Sequence, residues 1–97
     1  MRDYKFTKQA FKTLTDLSKN APKIASHIKE IITNLRLDLI EGESLTGYAE
    51  FKKLRAGKYR LIYTLRGEVL LIAIIEKRET VYATFKHLFK KSSAFDD

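Results

Sequence analysis

Cations and tyrosines recur at short spacing in the second half of this 97-residue chain. The segment FKKLRAGKYRLIY (51–63) carries Lys52, Lys53, Arg55, Lys58 and Arg60 beside two tyrosines, and KRETVY (77–82) adds Lys77, Arg78 and Tyr82. Guanidinium and ammonium groups bind phosphate and stabilise negative charge that develops on it, and a positioned phenol can take or give a proton. The pattern indicates a surface that binds an anion, with phosphate chemistry as the reaction it could perform.

The distribution of charge supports the same interpretation. The chain has a net charge of +7, and residues 47–91 alone carry 11 basic and 4 acidic side chains, whereas residues 1–46 carry +2. Nucleic acid is the natural partner of such a surface, through phosphate contacts and counterion release. With no cysteine and two histidines far apart, the sequence excludes thiolate catalysis and lacks the usual zinc ligands. We therefore expect neither a metal nor a cofactor.

Length and composition predict one globular domain over residues 1–97, with 92–97 as a flexible tail. The N-terminal stretch MRDYKFTKQAFK is charged throughout and resembles no signal peptide. The longest apolar run, VLLIAII, is too short to span a bilayer. We expect a cytoplasmic protein without membrane association.

Helical periodicity dominates the first half. DYKF alternates as a short strand does, Thr7 suits the N-cap position, and apolar residues then follow helical spacing from Lys8 to Ser18. Pro22 suits the first turn of a second helix, capped by Asn20 or Ala21, whose apolar face runs as far as Leu39. The two helices should pair as a hairpin.

After Gly47 the period changes to that of strands. Two-residue links ending in Gly57 and Gly67 predict an antiparallel meander of three strands, at Ala49–Arg55, Lys58–Leu65 and Glu68–Glu76. The third strand is apolar on both sides, and we expect it inside the sheet. A last helix is predicted from Glu79 to Lys91. The whole is an α+β fold of order β-α-α-β-β-β-α, with a small twisted antiparallel sheet packed on the hairpin.

Alternation along the strands assigns the cations to faces. Lys53 and Arg55 share one face of their strand, and Arg60 can join them if the register allows. Lys52 lies on the opposite face. Tyr59 and Tyr63 point away from Arg60, so simple packing explains both tyrosines equally well. An ion pair of Arg60 with Glu50 or Glu68, and a packing role for Tyr82, are the competing structural interpretations.

Two motifs resemble the RelE/ParE superfamily of bacterial type II toxin–antitoxin toxins. Lys53-Leu54-Arg55, Gly57 and YRLIY (59–63) are similar to its Lys-Leu-Arg, Gly, Tyr-Arg-Leu-Val-Tyr signature, and Lys77-Arg78 with Val81-Tyr82 is similar to its second. The likeness spans nearly the whole chain and implies a RelE-like fold. For the RelE-like branch it implies an endoribonuclease that cleaves mRNA in the ribosomal A site by attack of the 2′-hydroxyl and so inhibits translation.

The resemblance also implies roles for individual residues. Lys53 and Arg60 would hold the scissile phosphate, Arg78 would stabilise or protonate the leaving oxygen, and Tyr82 would assist deprotonation of the 2′-hydroxyl. Further phosphate contacts would come from a second group of cations: Lys52, Arg55, Lys58 and Lys77. Partners implied in the same way are a cognate antitoxin, the ribosome with its mRNA and 16S rRNA, and operator DNA for the toxin–antitoxin complex.

A second branch of the superfamily is the alternative. ParE-like members poison DNA gyrase and lack the cleavage residues. Phe51 stands at the first lysine position of the Lys-x-Lys-Leu-Arg pattern typical of the RNases, which favours this branch, whereas Arg60, Arg78 and Tyr82 favour the RNase. A third hypothesis is a degenerate toxin that keeps only antitoxin binding.

Overall fold

The computed structural model of the protein describes residues 1–89, arranged in eight elements. Three helices accompany one five-stranded sheet. In chain order the elements are β1 (Asp3–Phe6), α1 (Lys8–Asn20), α2 (Pro22–Arg36), β2 (Glu43–Leu45), β3 (Tyr48–Ala56), β4 (Tyr59–Arg66), β5 (Val69–Lys77) and α3 (Val81–Phe89). The α+β class and the predicted order are confirmed, with β2 as an additional strand. No helix among these residues is long and apolar enough to cross a membrane.

The strand order is β1-β5-β4-β3-β2, so β4 is the central strand and β5 is also interior. The meander β3-β4-β5 is antiparallel as predicted, and Gly57 and Gly67 take the positive φ values of 62° and 60° that its tight turns require. The sheet as a whole is mixed, because β1 pairs parallel to β5. The two α-helices that connect β1 to the meander make that parallel return possible.

Each face of the sheet carries its own core. The hairpin of α1 and α2 covers one face, where Leu14, Ile28 and Leu35 pack with Leu61, Tyr63 and Ile72. The shorter α3 covers part of the other face, where Val81 and Phe85 pack with Phe51, Ile62 and Ile74. The remainder of this second face is left open for charged side chains.

Two helix ends and one additional strand are the main differences from the sequence prediction. The second helix ends at Arg36, because Asp38 adopts a positive φ of 58°, and Leu39 at 68% exposure continues no buried face. Strand β2 is only three residues long and carries no alternating pattern of its own. Helix α3 begins at Val81, two residues after the predicted start. Its predicted last residues, Lys90 and Lys91, and the predicted tail 92–97 lie outside the described residues.

A bulge in β5 is held by the start of α1. Ile62 pairs with Ile74 but Tyr63 pairs with Ile72, so Ala73 is the extra residue. The Thr7 hydroxyl donates to the Ala73 carbonyl at 2.6 Å and also accepts from the Ala10 amide at 3.2 Å, which confirms Thr7 as the N-cap. One hydroxyl thus caps α1 and fixes the helix to the sheet.

Beyond the end of β1, the side chain of Gln9 makes the hydrogen bonds to β5 that a further strand residue would make. The Gln9 amide nitrogen donates to the Ile75 carbonyl at 2.8 Å, and its oxygen accepts from the Ile75 amide at 3.0 Å. A side-chain amide thereby supplies both hydrogen bonds that a neighbouring strand would have made. The edge of β5 is satisfied beyond the length of β1.

Replacing Thr7 with valine should destabilise the protein by about 1–2 kcal/mol, because the cap acceptor and the bond to Ala73 are both lost while the shape is kept. Thr7→Ser keeps the hydroxyl and should stay within ~0.5 kcal/mol of the original. Urea unfolding followed by circular dichroism measures both. Equal stability of the two variants would contradict the dual role of the hydroxyl.

Candidate functional site

The open part of the α3 face contains a cationic cleft. The register pairs Lys53 with Ile62 and Arg55 with Arg60, so the predicted placement of the three cations on one face is confirmed. They line a cleft of about 530 Å³ together with Tyr82 from α3 and a wall formed by residues 41–43. The full lining is Glu41, Gly42, Glu43, Lys53, Leu54, Arg55, Arg60 and Tyr82.

Arg60 is held by backbone carbonyls. Its Nη1 donates to the carbonyls of Gly57 and Tyr59, both at 3.0 Å, so the guanidinium lies against the β3–β4 turn. Among residues 1–89 Arg60 forms no ion pair, either with Glu50 or with Glu68. Within that part of the chain, no carboxylate oxygen lies within 4 Å of its guanidinium nitrogens.

The residues opposite Arg60 on the two adjacent strands form no ion pair with it. Arg55 stands directly opposite on β3, and like charges facing each other across a sheet repel. Glu76 stands opposite on β5, but its carboxylate accepts a hydrogen bond from the Thr84 hydroxyl of α3 at 3.0 Å. An anion bound between the two arginines would relieve their repulsion.

Tyr82 reaches the cleft because of how α3 packs. Val81 and Phe85 bury one side of the helix in the core, which leaves Tyr82 in the first turn, 40% exposed, beside the open cations. The Lys53 ammonium lies over the Tyr82 ring, with Nζ 5.6 Å from its centroid, a cation–π distance. The Tyr82 ring and the Lys53 ammonium are therefore neighbours. The spacing of the two motifs in the sequence did not establish this proximity.

The acidic wall of the cleft was missed by the sequence prediction. Glu43 begins β2 and pairs with Lys53, and Glu41 lies just before it. Glu41 forms an ion pair with Lys52, whereas Glu43 forms none with the described part of the chain. The only available signal was the EGE sequence around Gly42, which by itself is typical of an ordinary loop.

Gly42 fixes the distance of this wall from β3. A Cβ atom at residue 42 would lie 2.3 Å from the Lys53 carbonyl oxygen, so only glycine lets the two backbones approach this closely. The Gly42 amide donates to the buried Tyr63 hydroxyl at 2.8 Å. Burial raises the pKa of Tyr63, and the hydrogen bond to Glu41 raises the pKa of Lys52.

The structure does not bring every predicted cation into the cleft. Lys52 lies on the hairpin side of β3 beside Tyr63, and Lys77 pairs with Tyr59, which also faces that side. Lys58 is exposed in the β3–β4 turn, and the Arg78 amide donates to the Lys58 carbonyl at 2.9 Å. Arg78 and Lys58 are thus neighbours at the end of the sheet, outside the cleft lining.

Phe51 has a structural role at the position where the RNase pattern of the superfamily has a lysine. Its side chain is buried, with its ring centroid 5.0 Å from that of Phe85 and 5.7 Å from that of Phe89. A cation there would be buried among aromatic rings at considerable cost. The cleft accordingly contains three cations.

Comparison with known proteins identifies the type of chain. A family model described as the ParE toxin of type II toxin–antitoxin systems, parDE, matches residues 4–82. No curated protein matches. The fold is shared with the YoeB dimer from Staphylococcus aureus, which is 23% identical, with a TM-score of 0.71 over 79% of this chain and 97% of that one.

Two further structures share this fold. The heterotetrameric YoeB–YefM toxin–antitoxin complex from Staphylococcus aureus is 19% identical, with a TM-score of 0.66 over 80% of this chain and 98% of that one. A chain of the E. coli DinJ–YafQ complex is 16% identical, with a TM-score of 0.71 over 84% of this chain and 99% of that one.

Gly42→Ala should cost about 1–3 kcal/mol of stability, because its methyl group meets the backbone of β3 and pushes the acidic wall outward. Ser44→Ala, at an exposed position of the adjoining strand β2, is the matched control and should stay within ~0.5 kcal/mol. Chemical denaturation measures both. If the two variants unfold at the same urea concentration, the close approach at Gly42 is not a constraint.

The Tyr63 hydroxyl should make the free energy of unfolding depend on pH in the alkaline range. Because burial raises its folded-state pKa above the unfolded value of ~10, its contribution is complete below that pH and falls as pH rises through the folded value. The stability difference between the original protein and Tyr63→Phe should therefore shrink above about pH 10. Urea titrations at a series of pH values test this, and a constant difference would contradict it.

Proposed function

We propose that this chain, which belongs to the ParE toxin family and is a toxin of a type II toxin–antitoxin system, cleaves messenger RNA in the ribosomal A site and so inhibits translation. The observation that carries the proposal is the cleft that unites Lys53, Arg55, Arg60 and Tyr82. These residues come from β3, β4 and α3, and their convergence gives one place for a phosphodiester with proton acceptors beside it.

In this proposal the scissile phosphate lies between Lys53, Arg55 and Arg60. Arg60 is already oriented by the carbonyls of Gly57 and Tyr59, so little reorganisation is needed when negative charge develops on the phosphorus oxygens. Arg55 faces it and gains most from an anion between them. Positioning and positive charge supply the larger part of the catalysis of such a reaction.

The 2′-oxygen attacks phosphorus, a new P–O bond forms, and the bond to the 5′-oxygen breaks, leaving a cyclic phosphate and a 5′-hydroxyl. The proton of the 2′-hydroxyl passes to a group in the cleft. Tyr82 is the acceptor implied by the resemblance, and the Lys53 ammonium lies 5.6 Å from the centroid of its ring. The Glu43 carboxylate, which has no ion pair among residues 1–89, is the alternative acceptor. Arg78, by resemblance, stabilises or protonates the leaving oxygen, which requires its side chain to move from the end of the sheet toward the phosphate in the cleft.

Outside the cleft, Lys58 and Lys77 extend the positive surface around the end of the sheet. They are proposed to contact the phosphate backbones of the mRNA and of 16S rRNA. Lys52 is engaged with Glu41 on the other side of β3, and its proposed RNA contact requires that pair to open. In the cell, a cognate antitoxin would neutralise the toxin, the complex of the two would bind operator DNA, and the cytoplasm would be the site of action.

Gyrase inhibition is the second candidate, favoured by two observations. The matching family model is that of ParE, and Phe51 replaces the first lysine of the RNase pattern with a buried aromatic ring. A gyrase poison would act through surface complementarity and would not depend on proton transfer by Tyr82 or Glu43.

The decisive measurement is primer extension on a defined mRNA in 70S ribosomes with an open A site. The protein should produce stops at the A-site codon, and Arg60→Ala should lower cleavage by about 10²–10³-fold. Tyr82→Phe and Glu43→Gln should show which residue accepts the proton. Loss of the true acceptor should lower the cleavage rate by about 10²–10⁴-fold. Lys29→Ala, which removes one exposed charge from α2, is the control.

Intact mRNA would contradict the nuclease. Gyrase supercoiling of plasmid DNA is the parallel assay: inhibition there, unchanged by Tyr82→Phe and Glu43→Gln, would establish the ParE-like activity. A protein inactive in both assays, although folded and bound to its antitoxin, would be a degenerate toxin.

A further inference from the structure

Arg60 and Glu76 are opposite charges that stand side by side in the sheet without forming an ion pair. They are partners in the register of β4 against β5, so their side chains rise from the same face of the sheet. Opposite charges in this arrangement normally attract each other. Within residues 1–89, however, Glu76 forms no ion pair with Arg60 or with any other cation. The two charges are therefore kept apart by the other contacts that each side chain makes.

Each of the two side chains is held by a different partner. The Arg60 Nη1 nitrogen donates to the carbonyls of Gly57 and Tyr59, which directs the guanidinium toward the β3–β4 turn. The Glu76 carboxylate accepts from the Thr84 hydroxyl of α3 at 3.0 Å. Among the described residues, Thr84 is the one side chain that donates a hydrogen bond to this carboxylate.

Helix α3 fixes the Thr84 hydroxyl in place. The helix packs against β5 with Val81 and Phe85 buried, and the Thr84 amide donates to the Thr80 carbonyl at 3.0 Å. A branched side chain in a helix has few accessible χ1 rotamers, so the half-buried hydroxyl has little freedom to leave the carboxylate. The helix that carries Tyr82 into the cleft thus also restrains Glu76.

Without this restraint, a carboxylate of the protein itself would compete for the phosphate site. Arg55 and Arg60 face each other across β3 and β4 and repel, so a free carboxylate gains by moving toward them. Glu76 is attached to the strand beside Arg60, which gives its carboxylate a high effective concentration there. Once released, it would neutralise the guanidinium that the scissile phosphate needs.

We infer that Thr84 is a positioning residue of the cleft, which keeps Arg60 available to phosphate by holding the Glu76 carboxylate away from it. Thr84 is not part of the cleft lining and acts only through Glu76. The inference rests on the phosphate site of the proposed function. It adds that the contact between α3 and β5 sets how strongly the cleft binds an anion.

The probe is a short fluorescein-labelled oligodeoxynucleotide, measured by fluorescence anisotropy on the intact toxin at low salt. It presents phosphodiesters without the 2′-hydroxyl that cleavage needs, so binding is measured apart from the reaction. Thr84→Val removes the hydroxyl and keeps the shape of the side chain, and it should weaken binding about three- to fivefold. Thr84→Ser, which retains the hydroxyl, should restore the affinity. Thr33→Val makes the same change at an exposed position of α2 and is the control.

A second substitution separates this role from a general effect on α3. Glu76→Gln removes the competing charge, so the double variant Thr84→Val/Glu76→Gln should regain the affinity that Thr84→Val loses. In cleavage on ribosomes, Thr84→Val should raise KM with kcat nearly unchanged, because saturating substrate displaces the carboxylate. A helix that was merely loosened would displace Tyr82, lower kcat and not respond to Glu76→Gln. A crystal structure of Thr84→Val should show a Glu76 carboxylate oxygen within about 4 Å of the Arg60 guanidinium.

Three results would overturn the inference. One is unchanged binding by Thr84→Val when Arg60→Ala weakens it, since the phosphate site is then intact without Thr84. Another is a loss in Thr84→Val that Glu76→Gln does not reverse, which would assign Thr84 to the stability of α3. The third is the absence of any binding that depends on Arg60, which would remove the phosphate site as well. Failure of the proposed nuclease alone looks different: the oligonucleotide binds and responds as expected, but mRNA stays intact in primer extension.

Discussion

The register of β3 against β4 is the constraint on which the cationic cleft depends. The tight turn at Gly57 sets Arg55 opposite Arg60 and Leu54 opposite Leu61, so cations share one face and leucines the other. A slip of one residue would send Lys53 and Arg55 toward the hairpin core and bring Leu54 to the open side. Burial of unpaired cations would cost far more than the pairing gains, so the same hydrophobic core that stabilises the sheet also enforces the geometry of the cleft.

The aromatic cluster beneath α3 connects packing to chemistry. The ring centroid of Phe85 lies 4.9 Å from that of Tyr48 and 5.0 Å from that of Phe51, and these contacts hold the helix onto the sheet. Tyr82 adjoins Val81 on this helix, so its place beside Lys53 follows from how firmly the helix is held. Phe51 stands where the family's RNase pattern has a cation, and its ring instead holds α3, the helix that carries Tyr82, onto the sheet.

Much of the fold could be predicted from sequence because its signals are local. Periodicity, Pro22, and the glycines at 57 and 67 each identify an element or a turn within a few residues. Alternation placed Lys53 and Arg55 on one face, but whether Arg60 joined them depended on the register of β3 against β4, which the sequence did not fix. The acidic wall could not be found in this way, because β2 exists only through its pairing with β3 and has too few residues to show a period. The end of α2 was missed for a related reason: the apolar pattern of Leu35 and Leu39 continues past the point where the backbone turns at Asp38.

The acidic wall gives the cleft a balance of charge that composition alone does not suggest. Glu41 is drawn to Lys52 on the far side of β3, whereas Glu43 faces Lys53 and keeps its carboxylate among the cations. Two carboxylates beside three cations weaken the attraction for any polyanion in general, since each opposes the phosphate as strongly as a cation favours it. A site selected only for affinity would exclude them. The proposed cleavage gives them a use, because proton transfer requires an acceptor where the positive charge is concentrated, and surfaces outside the cleft would then supply the binding energy.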